Sequence, residues 1–375
     1  MGQVEKSHAH TIDLAGAWSI RLDPEDRREA RGWMRELGGI AGQLPGITSE
    51  ARLGHELDLE AELTGEVMLS LHQRRSYVGA AWYSRGFSVP ENWTGGDAIL
   101  SFERVIWQTR VWVNGKAAGT QDSLSAPHRY SVGPLLTPGR NLLVVEVDNR
   151  PIYDIGTAGH AYTNHTQTIW NGLIGELKLE LLDTVSIEAL QPSPTRDRHG
   201  RWNIRLALQQ RGQTPLRGRV SVEARLVAGE GKDLPGVRQE IELMPGRQEL
   251  DFALDAGEGI LWSEFSPALY ELEATVETGD TVARARIVSG LRTIQTEGKE
   301  IHVNRVPTFF RGTLECSIAP RTGYPATESS AWEKMFNAAR AYGLNHIRFH
   351  SWCPPEAAFA AADRLGVYLQ VELPN

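Results

Sequence analysis

The chain has two cysteines in 375 residues, Cys316 and Cys353. Their spacing is no zinc pattern, and a structural disulfide is not needed, so neither an oxidising nor a reducing compartment is excluded. No run of about 18 apolar residues exists to span a bilayer, and Met1 to Thr11 is polar, without the apolar centre of a secretion signal. A soluble cytoplasmic protein is the expectation. Basic excess is lacking too: 39 Lys and Arg stand against 47 Asp and Glu, for a net charge of −8. With a pI near 5.8 and no basic stripe, nucleic acid and anionic membranes are not expected as partners. Internal repeats and low-complexity tracts are absent. Asn92-Trp93-Thr94 and Asn164-His165-Thr166 match glycosylation sequons, which read as chance in a chain without a signal peptide.

What is present is apolar residue in quantity, 41% of the chain against 23% charged, enough for large cores in two or three domains. From Thr11 to about Asp183, short alternating runs are divided by Gly, Pro and Asn: Trp18 to Leu22, Ala81 to Pro90, Ala98 to Phe102, Thr109 to Val113 and Leu142 to Val147. Helical periodicity is nearly absent here, and strands at this density predict a two-sheet β-sandwich, long enough for a jelly roll. Asn114-Gly115 after Val111-Trp112-Val113 is a two-residue hairpin turn, because both central residues must take positive φ. Gln191 to Gly200, rich in Pro and charge, reads as a linker. Beyond it Trp202 to Leu208, Val220 to Val227, Arg247 to Phe252 and Tyr270 to Val276 predict a second, immunoglobulin-like sandwich.

The pattern changes after residue 297. Pro307 to Gly312 reads as a strand, Glu328 to Tyr342 as a helix, and Leu344 to His350 as a strand closed by Pro354 and Pro355. The Ala-rich run from Glu356 to Leu365 reads as a helix ended by Gly366, and Val367 to Glu372 as a third strand. Three strands and two helices in alternation are the opening of a parallel (β/α)8 barrel, in which chemistry sits where strands end. That position singles out Glu315, His350, Trp352 and Glu372.

These residues carry a family resemblance. The first region, with Gly16-Ala17-Trp18, Tyr83-Ser84-Arg85-Gly86-Phe87, Pro90-Glu91-Asn92-Trp93, Val111 to Lys116 and Pro138-Gly139-Arg140-Asn141, resembles the sugar-binding jelly roll of glycoside hydrolase family 2. Gly290-Leu291-Arg292-Thr293-Ile294, Val303-Asn304-Arg305-Val306-Pro307 and Arg311-Gly312 are similar to that family's passage from its immunoglobulin-like domain into the first barrel strand. Gly343-Leu344-Asn345, Ile347-Arg348, His350, Ala362-Asp363, Gly366 and Glu372 resemble its second and third barrel strands. The implied organisation is a jelly roll over 1–183, an immunoglobulin-like sandwich over 184–296 and the first part of a TIM barrel over 297–375. The implied activity is that of a retaining exo-β-glycosidase of β-galactosidase or β-glucuronidase type, acting through two carboxylates about 5 Å apart. In the family those glutamates lie at the fourth and seventh barrel strands, so neither is expected here; they would lie downstream of Asn375. A truncated or partial chain is the expectation, with an open barrel edge that is exposed or paired.

Within that frame Glu372 is expected to support a sugar hydroxyl or orient the acid/base rather than to catalyse. His350 is read as a sugar ligand or as a strand-end residue without that role, since the resemblance places the histidine one residue later. Trp352 stacks on a pyranose or caps the core. Glu315 is a further candidate for substrate, and Arg311 a buried partner for a carboxylate. In the loop Thr163 to Gly172 the galactosidase branch has an Asp where this chain has Thr166 and Gln167, which argues against a strict β-galactosidase and its cation. His160, Tyr162 and His165 read as a polar loop, not as metal ligands. No cofactor and no metal are expected; the partner is a glycoside or oligosaccharide, and homo-oligomerisation is left open. Two readings stand beside the enzyme: a non-catalytic carbohydrate-binding β-sandwich protein, and a structural module that assembles with a chain carrying the rest of a barrel.

Overall fold

The computed structural model describes all residues except 1–4, 8–9, 27–31, 36–38, 49, 57–74, 92, 94–95, 158, 164–168, 198–200, 258, 280, 320–321 and 375. Both sequon asparagines, His165, Thr166 and Gln167 lie outside the described residues.

The first region is a sandwich of two antiparallel sheets. One holds six strands in the order Lys116–Asp122, Gln108–Val113, Gly139–Asp148, Ala80–Val89, Gly16–Asp23 and Ile40–Leu44. The other runs His128–Ser131, Ala98–Arg104, Gly172–Leu181 and His10–Asp13. Alternation along each strand sends Ile20, Tyr83, Phe102, Val111, Val145 and Leu179 into one core between the sheets. At the Asn114-Gly115 turn both residues have positive φ, 52° and 76°, as a right-twisted hairpin requires. The Asn114 amide does more than permit the turn: its Nδ2 donates to the Leu135 carbonyl at 3.0 Å, and its Oδ1 accepts from the Leu142 amide at 2.9 Å. Asn114→Ala is therefore expected to cost about 1–2 kcal/mol in urea unfolding, from the lost hydrogen bonds and the positive φ. A change below a few tenths would mean that the turn is held by its strands alone.

The second sandwich pairs a five-stranded sheet, in the order Glu5–Ser7, Thr281–Ser289, Leu269–Thr278, Leu216–Ala228 and Leu234–Leu243, with a three-stranded one of Val185–Arg196, Arg201–Gln210 and Gly246–Asp255. Two expectations are corrected here. The segment read as a linker from Gln191 is strand as far as Arg196, because its backbone pairs with Arg201–Gln210 and its prolines fall on an edge strand, where a missing N–H costs nothing. Glu5–Ser7 belongs not to the first sandwich but to the edge of the second, paired with Arg284 to Arg286.

After the second sandwich come a small antiparallel sheet over residues 294–307 and then a parallel unit: β1 (Gly312–Glu315), α1 (Ser329–Ala341), β2 (His346–Phe349), α2 (Glu356–Leu365) and β3 (Tyr368–Val371). β2 lies between β1 and β3, and both ladders are parallel. The first parallel strand starts later than Pro307, since Val306–Pro307 pairs back in the small sheet, and Asn345 takes the Arg311 amide at 2.8 Å ahead of the ladder. Arg311 does meet a carboxylate, Glu264 at 3.3 Å, but its side chain is half exposed rather than buried. Pro355 stands at the N-cap of α2, and Gly366 ends it with φ 70°, the left-handed cap that glycine adopts without a Cβ penalty.

One face of the parallel sheet is covered. Ile347 and Phe349 of β2 pack with Trp332 and Phe336 of α1 and Ala358, Ala361 and Ala362 of α2. The same cluster continues into the first sandwich through Ile106, Trp107, Tyr162, Trp170 and Ile174. This shared core sets the parallel unit against the sandwich, and so decides which sandwich residues reach the strand ends. The opposite side of the sheet is open, with Leu314 52% exposed and Leu373 beyond β3 85% exposed.

Candidate functional site

The C-terminal ends of β1, β2 and β3 bring Glu315, His350 and Glu372 to one edge of the sheet, as parallel pairing in register requires. Glu315 is buried. Its carboxylate accepts hydrogen bonds from the Ser317 amide at 2.9 Å and the Ile318 amide at 3.3 Å, while its backbone carbonyl accepts from the His350 amide at 2.9 Å. Burial pushes its pKa up to about 7, against the pull of those two amides.

Glu372 is held differently. One oxygen pairs with the Arg348 Nε and the other accepts from the Ser351 amide at 3.0 Å. Burial would raise this carboxyl, but the Ser351 amide and the Arg348 guanidinium outweigh it and hold the group below the ordinary carboxylate range. Glu372 is thus an ionised, fixed acceptor, whereas Glu315 takes a proton near neutrality.

Trp352 does not take the expected place against a sugar ring. Its side chain is 0% exposed, because the turn after β2 drives the indole between Trp332 and Phe349, with ring centroids 6.3 and 5.5 Å away. Its Nε1 donates to the Glu315 carbonyl at 3.3 Å. The indole is the floor under the strand ends, and of the two readings of this residue the core one describes it. Arg104, at the end of a sandwich strand, lies over its ring with the guanidinium carbon 5.8 Å from the centroid, and donates to the Cys353 carbonyl. Burial lowers the Arg104 pKa, opposed by Tyr162.

The sandwich also contributes His160. Its Nε2 lies 2.9 Å from Nδ1 of His350, so one ring donates to the other. Cys316, next after Glu315, joins them: the three ligand atoms all lie within 4.8 Å of one another. Burial and the neighbouring His350 lower the His160 pKa, and burial and Glu315 raise the Cys316 thiol. His160, Cys316 and His350 are each followed by a non-glycine residue with left-handed backbone: Ala161 at φ 68°, Ser317 at 57° and Ser351 at 59°. Such residues persist only where surrounding contacts over-determine them. Sequence reading set His160 aside as a polar loop residue and gave Cys316 no role. The available signal was that Cys316 and His350 both follow strands of one parallel unit; that His160 meets them follows only from the docking of two domains.

Comparison with known proteins follows the same lines. Residues 12–157 match the family described as glycosyl hydrolases family 2, sugar binding domain. The β-galactosidase of Thermoanaerobacter pseudethanolicus is 21% identical over 308 residues, covering 81% of this chain and 40% of that protein. The β-glucuronidase of Rattus norvegicus is 22% identical over 393 residues, covering 96% of this chain and 56% of the relative. Among solved structures, Lactobacillus rhamnosus β-glucuronidase superposes with a TM-score of 0.73 at 20% identity, over 98% of this chain and 59% of that one. A Ruminococcus gnavus β-glucuronidase superposes with a TM-score of 0.71 at 18% identity, over 98% and 58%. The chain therefore spans roughly two fifths to three fifths of the length of these proteins.

Proposed function

We propose that this chain, whose residues 12–157 match the glycosyl hydrolases family 2 sugar binding domain, is the amino-terminal portion of a retaining exo-β-glycosidase of that family, of β-galactosidase or β-glucuronidase type. In this reading the second sandwich is the family's immunoglobulin-like domain, and β1 to β3 are the first three strands of its TIM barrel. The observation that carries it is the convergence of Glu315, His350 and Glu372 at the C-terminal ends of three parallel strands, where such barrels do their chemistry.

Retaining hydrolysis needs two carboxylates about 5–5.5 Å apart, one free to donate a proton and one free to attack. The two strand-end carboxylates here are otherwise engaged, Glu315 on the amides of its own loop and Glu372 on Arg348 and Ser351. They suit binding and positioning: Glu372 as a fixed acceptor for a sugar hydroxyl, His350 as a ring beside it, and Glu315 as a buried support. Trp352 serves this site from beneath. The catalytic pair then comes from barrel strands outside this sequence.

The test is hydrolysis of aryl β-galactoside, β-glucuronide, β-glucoside and β-mannoside by the 375-residue chain, with Glu315→Gln and Glu372→Gln alongside. No turnover of any substrate is expected. Turnover abolished by either substitution would place a catalytic carboxylate in this chain and overturn the assignment. In a protein that completes the barrel, turnover of one substrate is expected, with KM rising roughly tenfold or more in Glu372→Gln from the loss of a charged hydrogen bond. An unchanged KM would remove Glu372 from the site.

A further inference from the structure

We propose that His160, Cys316 and His350 form a site for one zinc-class divalent cation, with a fourth coordination position left for water or another ligand. The three donors come from three separate segments, a sandwich loop and the ends of β1 and β2, and still converge within 4.8 Å. A tetrahedral zinc site with Zn–N near 2.0–2.1 Å and Zn–S near 2.3 Å sets its donors about 3.3–3.7 Å apart. The two ring nitrogens at 2.9 Å are slightly closer than that and the widest separation, within 4.8 Å, is longer, so shifts of about 1 Å complete the geometry.

The donor set has its own preference. Two imidazoles and a thiolate favour zinc over magnesium or calcium, which prefer oxygen, and three protein ligands leave one position for water or another ligand. A ring-to-ring hydrogen bond accounts for two of the three groups but not for the thiol beside them. The backbone after each donor turns through a left-handed residue, Ala161, Ser317 and Ser351, which fixes where each donor sits. The support around them is of the kind that orients ligands: the His350 amide donates to the Glu315 carbonyl at 2.9 Å, and Glu372, an anion, acts electrostatically on His160 and Cys316.

Binding is accompanied by a defined proton movement. Cys316 releases its thiol proton to water as sulfur takes the metal, and the proton between the two rings moves to the far nitrogen of the ring that carried it. One proton leaves per cation bound, and no electron is transferred. The site does not depend on the glycosidase reading, because zinc uptake is read without a sugar.

Cobalt(II) added to the metal-stripped 375-residue chain is the probe. One equivalent is expected to bind, with the intense visible bands of a tetrahedral site and a thiolate-to-cobalt charge-transfer band, and zinc is expected to displace it stoichiometrically. Cys316→Ser removes the charge-transfer band, whereas Cys353→Ser keeps it. His160→Ala and His350→Ala weaken binding by roughly 100-fold or more. On the unsubstituted chain, zinc is expected to protect Cys316 but not Cys353 from iodoacetamide, which tests the site without any variant that could misfold. Absence of the charge-transfer band, its survival in Cys316→Ser, or equal labelling of Cys316 with and without zinc would each overturn the proposal.

Discussion

Replacing Trp352 by alanine is expected to destabilise the parallel unit by about 3–5 kcal/mol, the range for removing a fully buried indole from a packed core. The side chain is 0% exposed and meets Trp332 of α1, Phe349 of β2 and the Arg104 guanidinium of the first sandwich at once. A cavity there loosens the sheet, the helices and the domain contact together, and it strands a buried arginine whose aromatic neighbour is gone. Hydrogen exchange gives the sharpest reading. Amides of α1 and α2 should lose protection by two orders of magnitude or more (about 1.4 kcal/mol per tenfold), while strands such as Ala80–Val89 of the six-stranded sheet keep theirs. Trp352→Phe should lose less than half as much, since most of the ring volume remains. Uniform loss across the sandwich would mean the two regions unfold as one, and no loss would mean the indole is not the floor described here.

The second large effect is a pH dependence that one carboxyl controls. Glu315 is raised from 4.5 to about 7 by burial. A raised carboxyl binds its proton more tightly in the folded state than in the unfolded chain. Its contribution is therefore fully present below about pH 4.5 and is lost as pH rises through about 7. At about 1.4 kcal/mol per pH unit, a shift of this size takes roughly 2–3 kcal/mol from the unfolding free energy across that window. Glu315→Gln is neutral throughout and keeps an oxygen for one of the Ser317 and Ile318 amides, which bond different oxygens of the carboxylate. The difference between wild type and variant, followed by urea unfolding from pH 4.5 to 8, is expected to move in the variant's favour by that amount. Subtracting one curve from the other cancels what the two proteins share. Parallel stability curves would show that Glu315 ionises at its ordinary value.

Both effects arise at places where strand-end chemistry and domain packing coincide, and that coincidence separates what was legible in the sequence from what was not. The alternation from Trp18 to Val147, the Asn114-Gly115 turn and the Pro355 and Gly366 boundaries of α2 are local. Each depends on residues within one or two turns of chain, so reading them needs no knowledge of distant contacts. The same holds for Glu315, His350 and Glu372, which share an edge because parallel strands of similar length end together. Where reading failed, the deciding partner lay far away in sequence. Gln191 to Arg196 carries the composition of a linker, and becomes strand because Arg201–Gln210 supplies its ladder. Glu5–Ser7 is too short and polar to be read as structure, and is strand because residues some 280 positions later offer an open edge.

The sequence by itself determined the periodicities, the turn chemistry and the order of two sandwiches followed by a parallel unit, since these rest on φ preferences and on which face of an element is apolar. Only the tertiary structure decided that Trp352 lies beneath the strand ends rather than on them, that Arg104 crosses from one domain to hold the turn of another, and that His160 meets His350 and Cys316. Those three outcomes depend on how the core shared by Trp107, Trp170, Trp332 and Phe349 docks the sandwich on the helices. Docking is a matter of the summed burial of side chains more than 150 residues apart, which no local pattern encodes.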